Sequence, residues 1–315
     1  MDNGRPVRVG VVGVGYVGQH HARIYSELPG VELVGVVDID EARLRELGAR
    51  HRVLLCRDYR DLLGSVDAVS VAVPTLLHYP IAKHFLELGV DVLVEKPIAH
   101  SLTQADELVE IAKGDDRIFQ VGHIERFNGA VKALETIVKG PGFIESHRLG
   151  PFAARNTDVD VVLDLMIHDI DIILNLIKSP VTAVSAVGVP VISDQVDIAN
   201  ARLQFESGCV ANLTASRVSV ERVRRIRIFQ RDTFISLDYS QQEIAIYHRV
   251  LDEGSSASET TPKIVKEDIS IDKAEPLRVE LESFIECVRS RKRPLVSGEE
   301  GRDALKVAAQ IVERL

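Results

Sequence analysis

Val7-Arg8-Val9-Gly10-Val11-Val12-Gly13-Val14-Gly15-Tyr16-Val17-Gly18 decides the architecture, because a β-branched run breaks at a glycine-rich turn that opens a helix. Gly13, Gly15 and Gly18 permit, in turn, a tight reversal, the close approach of a pyrophosphate and helix-on-strand packing. The helix N-terminus behind them offers amides and positive potential to phosphates. Asp38 follows twenty residues after Gly18, at the end of the second apolar run, where a carboxylate accepts both ribose hydroxyls of NAD. That acid, with Asp40 beside it, repels the extra phosphate of NADP; Arg43 and Arg45 lie within the next helix and do not reverse the preference. NAD is the expected cofactor, with Gly13, Gly15, Tyr16, Val17, Gly18 and Asp38 as contacts.

Working outward, the first 121 residues alternate short apolar runs with helical patterns, as βαβ units of a parallel sheet do. Strands are expected near 7–12, 31–38, 53–55, 68–73, 91–95 and 118–121, and helices near 17–28, 41–50, 59–63, 80–88 and 103–113. Beyond Gly122 the texture changes. One long apolar helix, about 158–178, is followed by strands alternating with turns near 182–191, 197–205, 209–216, 224–229, 234–238, 243–248 and 264–271, with one more at 144–149 ahead of it. The fold class is α/β: a doubly wound parallel sheet over 1–121, then over 122–315 an α+β domain with a largely antiparallel open sheet. The final helices, about 299–315, are expected to return to the first domain.

Composition narrows the function classes. A chain of 315 residues, 45% hydrophobic and 27% charged, has the length and mixture of a two-domain globular protein. Its formal net charge of −9 argues against a nucleic-acid partner, whose phosphates demand clustered Lys and Arg. Arg222, Arg224, Arg225, Arg227 and Arg231 form a local exception, read either as a polar sheet face or subunit interface, or as a site for an anionic ligand. Cys56, Cys209 and Cys287 have neither disulfide nor zinc spacing, so no metal is expected and a reducing, cytoplasmic setting fits. No stretch has signal-peptide character or membrane-spanning length. The run 253–262, rich in Ser, Thr and Glu, reads as a loop.

Glu95-Lys96-Pro97 closes the fifth apolar run, at the sheet edge where ligands of doubly wound sheets bind. A lysine there suggests chemistry; a solvated side chain in an ordinary turn is the alternative. Pro74 and Thr75 end the fourth strand at the same edge, with His78 on the following helix, as further cofactor neighbours. In the long helix, Asp160, Asp164, His168, Asp171 and Asn175 fall within roughly 80° of one another, while most neighbours are apolar. Asp169 lies opposite, as a structural contact. Asp164 and His168, one turn apart, reach one region: the imidazole accepts an alcohol proton as its hydride leaves, and lysine donates to the developing carbonyl oxygen. A mutually satisfied Asp-His pair is the alternative.

The glycine loop, Glu95-Lys96-Pro97, the Asp164-x-x-x-His168 helix and the antiparallel sheet after it together resemble the Gfo/Idh/MocA oxidoreductase family. Resemblance implies a Rossmann domain, NAD(P)-dependent oxidation of a sugar or cyclitol hydroxyl to a ketone, and dimers or tetramers through the open sheet. It also implies proton transfer and substrate orientation by Lys96 and His168, assisted by Asp164. Residues 121–128 and 163–171 look most like the branch that oxidises a UDP-sugar to its 3-keto form, although Val159-Asp160-Val161-Val162 replaces the glycine-rich stretch many relatives carry. Arg126 and Asn128 match a segment near substrate, and Arg155 and Asn156 are further substrate candidates. An inositol or free-sugar dehydrogenase, and a non-catalytic NAD-sensing protein, are the alternative functions.

Overall fold

The computed structural model describes residues 4–152, 160–250 and 263–315, so the loop expected at 253–262 lies outside them. The chain forms two compact units, Met1–Ile124 with Glu275–Leu305 and Glu125–Ala274 with Lys306–Leu315. The continuous span expected for the second domain is thus divided: Glu275–Leu305, including the start of the final helix, groups with the first unit, and Lys306–Leu315 with the second.

In the first unit, β1 (Val7–Val12), β2 (Val31–Val37), β3 (Leu54–Cys56), β4 (Ala68–Val71), β5 (Asp91–Glu95) and β6 (Phe119–Gly122) form one sheet in the order β3-β2-β1-β4-β5-β6, all pairs parallel. This is the strand order of a Rossmann sheet, whose ligand crevice opens where the order reverses, at β1 and β4. Because helices cover both faces, the central strands are apolar throughout: Val9, Val11, Val69, Val71, Val92, Leu93 and Val94 are buried. The helices are α1 (Gly18–Glu27), α2 (Glu41–Arg50), α3 (His78–Glu87) and α4 (Leu102–Gly114); 59–63 is a 3₁₀ turn, Tyr59–Leu62.

The returning helix in this unit is α7 (Pro276–Ser290), started by a proline at its N-terminus and ended by Arg291 in the left-handed conformation. Its apolar stripe, Leu277, Leu281, Phe284, Ile285 and Val288, joins Val7, Val9, Val11 and Tyr25 in one core. Each such side chain contributes about 1.5–3 kcal/mol on burial, which explains why the segment belongs to the Rossmann unit. The last helix, α8 (Gly298–Val312), is divided between the units at Leu305/Lys306.

In the second unit, α5 (Gly129–Ile137) precedes β7 (Phe143–Leu149); the helix α6 (Ile167–Ile177) precedes β8 (Val181–Val189), β9 (Ile198–Phe205), β10 (Val210–Ser216), β11 (Val223–Gln230), β12 (Thr233–Asp238), β13 (Glu243–Val250) and β14 (Lys263–Ile269). They form an eight-stranded sheet in the order β14-β13-β12-β11-β7-β10-β9-β8, antiparallel except for β7 with β10. Alternation sorts the strands into faces. One face buries Ile144, Leu213, Ile226, Ile228, Ile235 and Leu237. The other carries the ion pairs Arg227–Glu145 and Arg225–Asp238 and a row of rings, Phe143, Phe229, Phe234 and Tyr247, in direct register across four strands. Among the described residues no helix is long and apolar enough to cross a membrane.

Candidate active site

At the mouth of the Rossmann sheet the glycines are sterically required. Gly13 has φ +86°, and a Cβ there would lie 2.5 Å from the Ala72 carbonyl oxygen; one at Gly18 would lie 1.8 Å from the Gly13 oxygen. Beside Gly15 the only neighbour within 4 Å of such a Cβ is Arg43 Nη1 at 3.6 Å, so this side of the loop is open to a ligand backbone. No side chain caps α1 and its first turn has no acid, which leaves the helix N-terminus to an anion such as a pyrophosphate. Asp38 is buried, with Oδ2 accepting from Val14 N (2.9 Å) and Oδ1 from Asp40 N (2.9 Å). A carboxylate has about four acceptor positions, so ribose hydroxyls still find partners on it. Exposed apolar side chains ring this edge after three strands: Tyr16 after β1, Ile39 after β2, Leu76 and Leu77 after β4. The residues present fit a dinucleotide. Arg43 is nearer than its helical position implied, its guanidinium 3.8 Å from Asp38 and 3.4 Å from Asp40.

Lys96 follows β5 at the same edge and is half-buried, joined to Pro97 by a cis peptide. Its neighbour Glu95 is fixed by a residue that sequence reasoning passed over: His21 of α1, fully buried, donates from Nε2 to Glu95 Oε1 (3.1 Å). Glu95 Oε2 accepts the amide of Lys96 (3.3 Å). Burial pushes the Glu95 carboxyl upward, but the hydrogen bond from His21 and the nearby positive charges outweigh it and hold the group below the usual range. Gly122 makes the room, since a Cβ there would sit 3.0 Å from that carboxyl group.

Pro74, at the start of the 3₁₀ turn Thr75–Leu77, is exposed and Thr75 half-buried. His78 is buried behind them, its Nδ1 2.8 Å from the Pro97 carbonyl oxygen and its Nε2 2.8 Å from that of Val73. Burial lowers its pKa while the two carbonyls pull the other way. The ring expected to neighbour a cofactor is committed to tying the turn after β4 to the backbone beside Lys96.

In the second unit the long helix is not uniformly α-helical. Val162–Met166 is a π-helical turn, of the kind that recurs at functional sites, and α6 continues from it. The polar stripe expected at α-helical spacing is therefore broken. Asp160 caps the turn, its Oδ1 accepting from Val162 N (2.8 Å) and Leu163 N (3.0 Å). Asp171 receives Arg126 Nη1 (3.4 Å), and Asn175 donates to Glu135 (2.8 Å). Asp164 and His168 are both half-buried, Asp164 within the π turn and His168 just beyond it.

Asp169, next to His168, makes the structural contact expected of it, and makes it with the sheet. Arg148 of β7 donates to it twice, Nε to Oδ2 (2.9 Å) and Nη2 to Oδ1 (3.1 Å), and through Nη1 to Glu125 Oε1 (2.9 Å). Its guanidinium also lies 5.2 Å from the centre of the Tyr239 ring. Burial alone would oppose the charge on Arg148, but Asp169 and Glu125 hold it above its ordinary value.

Two substrate candidates occupy structural positions. Arg126 is buried between Asp171 and Glu135. Asn128 caps α5 through Ala130 N (3.0 Å) and donates to the Tyr239 carbonyl (3.1 Å). Arg155 and Asn156 lie outside the described residues. Among the described residues no cluster of His, Cys, Asp or Glu is placed to hold a metal ion.

Comparison with known proteins agrees with this geometry. Residues 7–123 match the model of an oxidoreductase family with an NAD-binding Rossmann fold, and residues 129–233 match the GFO/IDH/MocA C-terminal domain. The chain is 36% identical over 306 residues to UDP-N-acetylglucosamine 3-dehydrogenase of Acidithiobacillus ferrooxidans, covering 97% of this chain and 96% of that protein. A solved structure of that dehydrogenase superposes with a TM-score of 0.90 at 35% identity, over 98% of this chain and 97% of the other. The NAD-dependent scyllo-inositol 2-dehydrogenase of Bacillus subtilis is 29% identical over 315 residues, covering 92% of this chain and 89% of that protein.

Proposed function

The chain belongs to the Gfo/Idh/MocA family of NAD-binding oxidoreductases, and from that membership we propose that it oxidises UDP-N-acetylglucosamine at C3 to the 3-keto sugar nucleotide. The observation that carries the reading is end-to-end likeness, at more than a third identity, to a dehydrogenase of that substrate. Inositol dehydrogenases are also relatives, at lower identity where the match spans most of the chain.

NAD, when bound, supplies the acceptor for the hydride that leaves the ring carbon. The chain handles the proton. His168 accepts it from the reacting hydroxyl as the carbon–oxygen double bond forms, and the Lys96 ammonium donates a hydrogen bond to that oxygen. Asp164 orients this pair. Around them, the His21–Glu95 contact steadies the backbone before Lys96, and Arg148 steadies the helix that carries His168. A 3-keto product is the substrate an aminotransferase needs, which fits supply of lipid A or surface-polysaccharide precursors. We further infer a cytoplasmic homodimer or homotetramer built on the outer face of the eight-stranded sheet, whose aromatic row offers an apolar strip among paired charges.

Purified protein mixed with NAD and UDP-N-acetylglucosamine should generate NADH, or keto sugar trapped by an aminotransferase when the equilibrium is unfavourable. Absence of product across the pH range, with NAD binding intact, overturns the proposal.

A further inference from the structure

The arginine run at 222–231 is only partly used by the fold. Arg225 and Arg227 pair with Asp238 and Glu145 on the outer face of the sheet, and Arg231 pairs with Asp232. Arg224 differs in direction and in company. Strand alternation puts it on the face of Ile226 and Ile228, the buried one, yet it sits at the strand's end and is exposed. Its direct partner across the antiparallel pair is Arg148, the guanidinium that holds Asp169 beside His168. Neither Arg224 nor Arg222 makes an ion pair or side-chain hydrogen bond among the described residues, although the chain as a whole is acidic.

Three guanidiniums, Arg148, Arg222 and Arg224, share this strand end with two carboxylates, Glu125 and Asp169, both already bonded to Arg148, which leaves a local excess of positive charge in a protein of net charge −9. Desolvation and repulsion from Arg148 and Arg222 pull Arg224 below its ordinary pKa, outweighing the attraction of Glu125 and Asp169. An anion is the group that relieves this arrangement, and guanidinium forks match phosphate oxygens two at a time. The same end of the sheet holds Leu149, paired directly with Val223, and Gly150 after it.

We propose that Arg224, with Arg222 beside it, is an anion subsite that takes the diphosphate of a nucleotide-linked sugar, and so selects such substrates over free sugars and cyclitols. The assignment of its ligand rests on the sugar-nucleotide reading above. The subsite is tested with UDP itself, by calorimetry on the full chain loaded with NAD, so the result does not depend on turnover. Wild type should bind UDP with an affinity that falls as salt rises, and Arg224→Gln should weaken it by about 10- to 100-fold, the loss expected for a charge-assisted hydrogen-bond pair. Arg224→Lys should recover part of it, and Arg231→Ala, which removes a charge from the turn after β11, should leave it unchanged. With UDP-N-acetylglucosamine as substrate, Arg224→Gln should raise KM by a similar factor with little change in kcat.

No UDP binding by wild type, or equal binding by Arg224→Gln and wild type, overturns the subsite. If Arg224→Gln does not fold, the comparison of Arg224→Lys with wild type decides in the same way. UDP binding that depends on Arg224 without oxidation of UDP-N-acetylglucosamine sustains the subsite and removes the proposed substrate; oxidation with a KM indifferent to Arg224 does the reverse.

Discussion

The end of β5 and the start of α6 solve one problem with different chemistry. Each carries a candidate reactive side chain, Lys96 or His168, and each fixes it through the adjacent carboxylate. At β5 that carboxylate is Glu95, held by the single imidazole of His21 and by the Lys96 amide. At α6 it is Asp169, gripped by the Nε–Nη2 edge of Arg148, whose remaining nitrogen binds Glu125. The imidazole offers its carboxylate one donor, whereas a guanidinium grips with a planar fork of several. The first support is adjustable and the second rigid. A strand end already constrained by its sheet needs only a light clasp, whereas a helix interrupted by a π turn needs an anchor.

The reactive groups themselves should show the largest effects. Lys96→Met and His168→Asn should each lower kcat by about 10²- to 10⁴-fold, the usual contribution of a positioned proton-transfer group. Steady-state turnover checks this, with NAD binding and thermal unfolding as controls. Near-normal turnover in either variant would remove that residue from the proposed chemistry and leave the comparison as one of two structural contacts.

Next in size comes the anchor. Arg148→Met leaves Asp169 and Glu125 buried without their cation, which should cost about 3–5 kcal/mol of stability. Asp169→Asn on that background should recover part of the loss by removing one of the stranded charges. Denaturant unfolding measures both. A loss under about 1 kcal/mol for Arg148→Met, the range of exposed pairs, would mean that water reaches this network and that the rigid anchor does not exist.

The same contrast separates what the sequence discloses from what it hides. The glycine loop, the apolar strands, Asp38 and the Lys96 strand end are local patterns, and the observed strands begin and end within two residues of those read from the sequence. The Asp164–His168 pair is legible as a motif, but its stripe assumes α-helical spacing, and nothing in the side-chain periodicity marks a π turn. Long-range polar pairs were hidden for a different reason. His21 meets Glu95 across 74 residues and Arg148 meets Asp169 across 21, and which buried charges meet is decided by tertiary packing. One missed element did carry a signal. Asn128 ahead of Gly129-Ala130-Val131 is a helix-start pattern that would have located α5 and given Asn128 its capping role.

The light clasp should yield a smaller change than the anchor. His21→Asn removes the imidazole from a carboxylate that stays mostly buried, and should cost about 1–3 kcal/mol, as for other hydrogen bonds to charged groups. Turnover should fall as well, because the Lys96 amide is bonded to the same carboxylate. The Lys96→Met background separates the two consequences: there His21→Asn should destabilise as before but change residual turnover little. A further large fall in turnover on that background would mean that His21 acts on the reaction by a route other than Lys96.

Acidification offers the finest discrimination between the two supports. The Glu95 carboxyl is depressed in the folded protein because His21 and nearby positive charge outweigh burial. A group whose folded pKa lies below its unfolded one contributes stability that is present above the unfolded value, near 4.3 for a glutamate, and is lost as pH falls through the folded value. Wild type should therefore lose stability below about pH 4.5 more steeply than Glu95→Gln, which has no proton to take up at that position. Other carboxylates, Asp67 and Asp197 among them, are depressed too and titrate in both proteins, so the informative quantity is the difference between the two curves. Parallel curves would show that the clasp is insensitive to protonation of Glu95. A difference that opens as pH falls would locate the adjustable support at the strand end that carries Lys96, and the same titration of Arg148→Met against wild type would show whether the helix anchor shares it.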